Sequence, residues 1–286
     1  MNPGNPSLSF EFYPPKTEAG LVKLKETACQ LATAKPSYFS VTYGAGGSTQ
    51  ERTQETVLAL INEAGVPTAP HLTCVGASTQ GLRSQLAAYR SNGIQRIVAL
   101  RGDLPEGMAP SEKFSYAIDL IEFIRQETGD YFHLEVAAYP EYHPQAVSPF
   151  ADLQNLKRKI DAGADSVITQ YFYNPDAYFR FIDETQRLGI ATPIIPGIMP
   201  IVNYTQLARF SDACGAEIPR WIRKRLEFYG DDLASIRSFG QDVVTTLCQQ
   251  LLDGGAPGIH FYTLNNAEPS LSIWRNLQLP TTPPVS

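Results

Sequence analysis

The chain has 286 residues, 43% hydrophobic and 18% charged, enough apolar content to bury the core of one large barrel or of two smaller domains. Its 23 Lys and Arg against 29 Asp and Glu give a net charge of −6, which argues against a general nucleic-acid or acidic-membrane binder, since both need a basic surface. MNPGNPSLSF has no basic start followed by an apolar stretch, no apolar run approaches the ~18 residues of a membrane span, and Cys29, Cys74, Cys214 and Cys248 form no C-x-x-C pair, so a reduced, cytoplasmic protein without a zinc site is expected.

Eight β-rich runs alternate with longer amphipathic stretches. The first, LSFEFY (8–13), carries Glu11 between Phe10 and Phe12 and stops at Pro14-Pro15. Side chains alternate along a strand, so Glu11 faces away from the two phenylalanines. A carboxyl near the mouth of a barrel lumen would be desolvated and its pKa raised, which suits a general acid. The alternative is a salt bridge to a neighbouring base such as Arg101. The second run, YFSVTYG (38–44), leads through YGAGGST (43–49) into a helix over 48–65 that opens on a capping-box pattern, Ser48 with Glu51. That glycine-rich turn is either an anion site at a helix start or a simple tight turn; it lacks G-x-G-x-x-G and the Walker lysine.

TAPHLTCVG (68–76) brings His71, and RIVALRGD (96–103) brings Arg101 and Asp103, on one face by the two-residue alternation. These two could pair with each other, or the Arg could grip a phosphate. After a helix over 115–129 comes HLEVAAYP (133–140), with Tyr139 near its end. In FADLQNLKRKIDAG (150–163), Leu153, Leu156 and Ile160 form a core stripe, and Asp152, Asn155 and Lys159 share a second stripe that reads as a solvated face. SVITQYFY (166–173), TPIIPGIMP (192–200) and IHFYTLN (259–265) complete the eight, with Gln170 and Asn265 at strand ends. EIPRWIRKRLEFYG is an extra helix before the last unit, and LPTTPPVS (279–286) is an extended tail.

Gly65, Gly93, Gly129, Gly163, Gly189 and Gly215 each follow a helical pattern, as helix-terminating residues do. Eight such units predict a (β/α)8 barrel forming one domain over 1–286, with an open doubly wound sheet as the alternative. The site of such a barrel lies at the C-terminal ends of its strands, where Glu11, Thr42, Tyr43, His71, Arg101, Asp103, Tyr139, Gln170 and Asn265 fall. His71 and His143 lie in no H-x-H or H-E-x-x-H pattern, which disfavours a metal. No lysine falls inside a strand, which disfavours a Schiff-base aldolase.

FEFYPPKT, SVTYGAGGS, APHLTC, IVALRGDLP, VAAYPEYHP, LKRKIDAGAD, ITQYF, PGIMPI, IPRW and HFYTLN follow one another across residues 10–265. Together they closely resemble the methylenetetrahydrofolate reductase family of one-carbon metabolism and methionine biosynthesis. The length resembles its short bacterial form, without the S-adenosylmethionine regulatory domain of the eukaryotic enzymes. The resemblance implies a barrel that holds FAD, is reduced by NADH or NADPH, and then delivers the hydride to 5,10-methylenetetrahydrofolate. It also implies a homo-oligomer.

By the resemblance, Glu11 is the general acid toward N10 of the folate, and Asp103 stabilises the cationic iminium and tunes the flavin. Gln170 touches folate or nicotinamide. Phe210, with Gln206 beside it, packs on the folate or the dinucleotide, and Thr42 lies near the nicotinamide nucleotide. The FAD positions are Tyr43, Ala45, His71, Arg101, Gly102, Asp103, Tyr116, Ala117, Tyr139, His143, Ala146, Asp152, Asn155, Arg158 and Lys159, which turns the helix stripe of 150–163 toward a cofactor. Asn266 departs from the arginine common after HFYTLN, so Arg275 or another base must hold the glutamate end of the folate, or it is held more loosely; Tyr13 replaces a common Phe. The competing readings are a flavin-free pterin-binding barrel transferase or lyase, and a non-catalytic ligand-binding barrel.

Overall fold

The computed structural model describes residues 6–43, 49–102 and 114–279. Its elements run β1 (Ser7–Phe12), α1 (Glu18–Ala32), β2 (Tyr38–Val41), α2 (Thr49–Ala64), β3 (Thr68–Thr73), α3 (Thr79–Ser91), β4 (Arg96–Leu100), α4 (Ala117–Thr128), β5 (His133–Ala138) and α5 (Pro149–Asp161). They continue β6 (Ser166–Thr169), α6 (Pro175–Arg187), β7 (Ile194–Ile195), β8 (Gly197–Ile198), α7 (Tyr204–Cys214), α8 (Arg220–Tyr229), α9 (Leu233–Asp253), β9 (Gly258–Tyr262) and α10 (Ala267–Asn276). Helix α8 is the predicted extra one. The six predicted helix-ending glycines all take positive φ.

All strand pairs are parallel, in the order β7-β6-β5-β4-β3-β2-β1-β9-β8. One expectation needs correction. The run 192–200 is not one continuous strand but two short ones, β7 and β8, split at Pro196. Proline has no N–H for a ladder, so the segment changes partner there. β7 pairs β6, β8 pairs β9, and the Pro196 carbonyl still accepts from His260 N at 3.0 Å. Since β9 pairs β1, the split strand completes the ring and the fold is a barrel, not an open doubly wound sheet.

The strand alternation divides two environments. Phe10, Phe12, Phe39, Leu72, Ile97, Leu134, Val136, Val167, Ile259 and Phe261 point outward into the layer beneath the helices and are buried. Phe10 stacks on Phe261 at 5.7 Å, and Phe12 meets Phe39 edge-on at 5.1 Å. Each ring so buried contributes about 1.5–3 kcal/mol. The opposite faces of the same strands present a polar interior: Ser9, Ser40, His71, Glu135, Ser166 and His260 are all buried, beside a small apolar cluster of Tyr38, Ala69 and Val98. The helices that follow each strand place their first turns at the C-terminal mouth, with Pro175 opening α6 and Ser148 capping α5 through Ala151 N.

Candidate active site

Glu11 is the last inward residue of β1, in register with Ser40 on one side and Tyr262 on the other. Beyond it Pro14 and Pro15 cannot extend a ladder, and side chains take over. The amide of Asn265 brackets Tyr13: its Oδ1 accepts from Tyr13 N at 3.0 Å and its Nδ2 donates to Tyr13 O at 2.9 Å. Thr263 Oγ1 donates to the Glu11 carbonyl at 2.6 Å. Leu264 and Asn265 reach these positions in left-handed backbone, φ 50° and 57°, a region that Asn tolerates better than most residues. Thus the exit of β9 clamps the strand end that carries Glu11. Asn265→Ala should remove two bonds and a favourable backbone, lowering stability by about 1–3 kcal/mol, which a shifted denaturant midpoint would report.

The Glu11 carboxylate meets two imidazoles. Oε2 lies 3.3 Å from His71 Nε2 and 3.6 Å from His260 Nε2. Its side chain keeps 17% of its surface, His71 8% and His260 none. Among the described residues neither Nε2 atom has a hydrogen-bond partner of full geometry. Burial pushes the Glu11 carboxyl up, as the sequence led one to expect. Yet the two facing histidines, His71 foremost, outweigh it and hold the group at about 2. The expected upward shift is therefore corrected: desolvation is present, and two histidines override it. A carboxyl at that value gives up no proton near neutrality by itself. A proton carried by either imidazole nitrogen lies one transfer from the carboxylate. Arg101, the base named as a possible partner of Glu11, instead reaches Gln145 Oε1 at 2.8 Å.

The other predicted positions take these places. Thr42 N bonds the Phe12 carbonyl at 2.8 Å, and its own carbonyl accepts from Thr53 at 3.1 Å. Tyr43 is half-buried, its phenol raised by burial against a hydrogen bond with Gln85. Gly102 has φ +87°, and a Cβ there would lie 2.9 Å from Thr73 Cβ. Tyr116 is the N-cap of α4 and 63% exposed, with Ala117 next to it; its carbonyl accepts from Cys74 Sγ at 3.4 Å. Tyr139 and His143 meet edge-on at 4.6 Å, and Asp152 Oδ2 accepts from His143 N at 2.9 Å, holding the loop that contains Ala146.

On α5, Asn155 and Arg158 are exposed, joined by a long 3.4 Å bond. Lys159 is half-buried, donates to the Ala137 carbonyl at 2.6 Å, and makes no ion pair among the described residues. Burial lowers it to about 8 against the opposing charge of Asp152. The stripe of Asp152, Asn155 and Lys159 is thus not a uniformly solvated face. Gln170 continues β6, its N bonded to the Ala138 carbonyl at 2.7 Å. Gln206 and Phe210 sit on α7, whose Ser211 meets the Tyr171 hydroxyl at 3.0 Å. Ala45 and Asp103 lie outside the described residues.

Sequence reasoning missed three members of the centre: His260, Tyr262 and Ser9. His260 and Tyr262 alternate with Phe261 in IHFYTLN, so their shared inward face could have been read; that β9 lies beside β1 could not. The Tyr262 ring packs edge-on against His260 at 5.3 Å, and its hydroxyl donates to the Thr169 carbonyl at 2.7 Å.

A family model described as methylenetetrahydrofolate reductase matches residues 1–278. A protein of Escherichia coli (strain K12) named 5,10-methylenetetrahydrofolate reductase is 41% identical over 274 residues, covering 96% of this chain and 91% of that protein. One of Oryza sativa subsp. japonica, named probable methylenetetrahydrofolate reductase (NADH), is 40% identical over 289 residues, covering 96% of this chain and 49% of that protein. The chain therefore spans about half the length of this plant relative. Among solved structures, an uncharacterized protein from Clostridium thermocellum, described as binding two copies of 5-methyl-5,6,7,8-tetrahydrofolic acid, superposes with a TM-score of 0.64 at 18% identity, covering 96% of this chain and 94% of that one. The dihydropteroate synthase of Thermus thermophilus does so at 0.52 and 12%, covering 97% and 96%. These two likenesses concern the fold.

Proposed function

The chain belongs to the methylenetetrahydrofolate reductase family, and from that premise we propose that it reduces 5,10-methylenetetrahydrofolate to 5-methyltetrahydrofolate, taking electrons from NADH or NADPH through bound FAD. The observation that carries the reading is the half-buried Glu11 at the barrel mouth, within 3.3 and 3.6 Å of two imidazole nitrogens. Opening the folate's five-membered ring requires a proton on its N10, and a carboxyl fed by histidines can deliver one. The O–H bond of Glu11 breaks as the N–H bond forms; Glu11 is left a carboxylate, and its proton is replaced from a protonated neighbouring imidazole, which in turn takes one from solvent. Asp103 is assigned the stabilisation of the resulting cation, and Gln170, Gln206 and Phe210 the holding of substrate, on the motifs that carry the resemblance.

The donor set fits a flavin dinucleotide. Lys159 has no carboxylate in ion-pair contact among the described residues, Arg158 is exposed with only a long bond to Asn155, and the Tyr116 ring stands 63% exposed at a helix start. Cations not taken up in an ion-pair contact suit a pyrophosphate, and an exposed ring suits a flat heterocycle. Bound FAD would supply a two-electron carrier between nucleotide and folate. Thr42, Tyr43, Ala45, His71, Arg101, Gly102, Ala117, Tyr139, His143, Ala146, Asp152 and Asn155 are the further residues assigned to hold it or the nucleotide.

The test is direct. The purified protein should carry, or take up, FAD with its visible absorbance, lose that absorbance with NADH in the absence of oxygen, and regain it with 5,10-methylenetetrahydrofolate. A protein that cannot be loaded with FAD, or whose colour does not respond to nucleotide, overturns the proposal. Lys159 gives a second check. A protonated ammonium favours the phosphate, so FAD affinity should fall as pH rises through about 8, the value to which burial lowers this group. Lys159→Met should bind on the order of tenfold more weakly and lose that dependence, as flavin fluorescence titrations would show.

A further inference from the structure

The substrate of the proposed reaction ends in a glutamate, and its carboxylates call for a cation at the barrel mouth. The exit of β9 offers Asn265 and Asn266, both uncharged. Arg275, named from the sequence for that role, stands in the last turn of α10. That helix starts with Ala267 at the mouth and leads away from it, so eight residues of rise carry Arg275 about 12 Å down the outside of the barrel.

Helix α7 brings a cation to the rim itself. It lies across the exits of β5 and β6: Ser211 Oγ meets the Tyr171 hydroxyl at 3.0 Å, and Glu217 N, just past the helix, donates to Glu141 Oε2 at 2.8 Å. A row of rings continues inward from there, Tyr171 to Tyr262 at 6.4 Å and Tyr262 to His260 at 5.3 Å, and ends beside Glu11. On α7, Phe210 is half-buried against the core, and the Arg209 guanidinium lies over its ring, 5.3 Å from the centroid. Arg209 is exposed and makes no ion pair among the described residues; Asp212, three residues on, is exposed too and does not pair with it. The ring contact steadies the guanidinium without neutralising it, and leaves its N–H fork open to a carboxylate.

We propose that Arg209 binds the glutamate α-carboxylate of the folate substrate, and so sets a preference for folates over pteroates. This rests on the reading of Phe210 as the ring that packs on the substrate's benzoyl group. In a folate the α-carboxylate carbon is three bonds from the benzoyl carbonyl carbon, roughly 4 Å or less. A cation that serves it must therefore sit about one ring's width from the aromatic that packs on the benzoyl group, which is where Arg209 sits relative to Phe210. The planar guanidinium matches a carboxylate with two parallel N–H···O bonds. Arg209 gives and takes no proton in the reaction; it holds the substrate.

The test compares two substrates in the FAD-loaded enzyme: 5,10-methylenetetrahydrofolate and its pteroate analogue, which lacks the glutamate. Arg209→Met should raise the KM for the folate on the order of 10–100-fold, as the loss of a charge-assisted bidentate pair does, with kcat nearly kept and the pteroate unaffected. Arg209→Lys should restore part of the preference. Titration with 5-methyltetrahydrofolate, which needs no turnover, should show the same weakening, and salt should loosen the wild-type complex more than that of Arg209→Met. Equal losses on folate and pteroate would mean that Arg209 only steadies Phe210, and a raised KM for NADH alone that it serves the nucleotide; either overturns the inference. So does a preference that survives in Arg209→Met but is lost in Arg275→Met or in a variant of Lys16, the exposed cation beyond the prolines of the β1 exit. A protein that binds 5-methyltetrahydrofolate through Arg209 but reduces neither substrate would sink the proposed function and leave this inference standing.

Discussion

Glu11→Gln should leave anaerobic reduction of the flavin by NADH close to the wild-type rate and slow reoxidation by 5,10-methylenetetrahydrofolate by about 10²–10⁴-fold, the range that a positioned acid contributes. Hydride delivery to the flavin needs no acid, whereas opening the folate ring does. The amide cannot pass a proton between His71, His260 and a substrate nitrogen, although it fills the same space beside them. Stopped-flow measurement of the two half-reactions separates the roles. Equal loss in both would make Glu11 a structural or cofactor-holding residue. The depressed carboxyl sharpens the expectation: at about 2 it is not a simple high-pKa acid, so its competence rests on the histidines, and replacing either should impair the folate step too.

The second large effect is on the fold around the same centre. Gly197→Ala should destabilise the protein by about 3 kcal/mol or more, or prevent folding. A Cβ at this position would stand 2.0 Å from the Thr169 carbonyl oxygen and 2.7 and 2.8 Å from Cε2 and the hydroxyl of Tyr262. The carbonyl belongs to β6 and cannot swing aside as a flexible side chain would. The split strand therefore passes β6 and Tyr262 at a distance only glycine permits. Since Tyr262 packs on His260 beside Glu11, any Gly197→Ala protein that does fold should also be slowed in the folate step. Unchanged thermal unfolding would show that the barrel wall can open there without loss.

Much of this was legible in the letters. The alternation in LSFEFY puts Glu11 opposite two phenylalanines, because strand geometry leaves no other choice. Glycines and caps mark the helix ends through local backbone preference. The split of the seventh strand was legible in part: Pro196 announced it, since a residue without an N–H must interrupt a ladder. By contrast, the sign of the Glu11 shift could not be read. Burial alone raises a carboxyl, and only the placement of His71 and His260, 60 and 249 residues away along the chain, reverses it.

Alternating strands and helices, the inward face of Glu11 and, through the motif blocks, the family all follow from the order of residues along the chain. These depend on neighbours a few residues apart, or on the order of whole motifs. Which inward residues touch depends instead on how the barrel closes. The barrel closes by setting β9 against β1 and sends Tyr38 across the lumen to Glu135. Those contacts join residues 251 and 97 positions apart, as in Ser9 with His260 and Tyr38 with Glu135. Their energy comes from register and closure, which no local stretch of the chain contains.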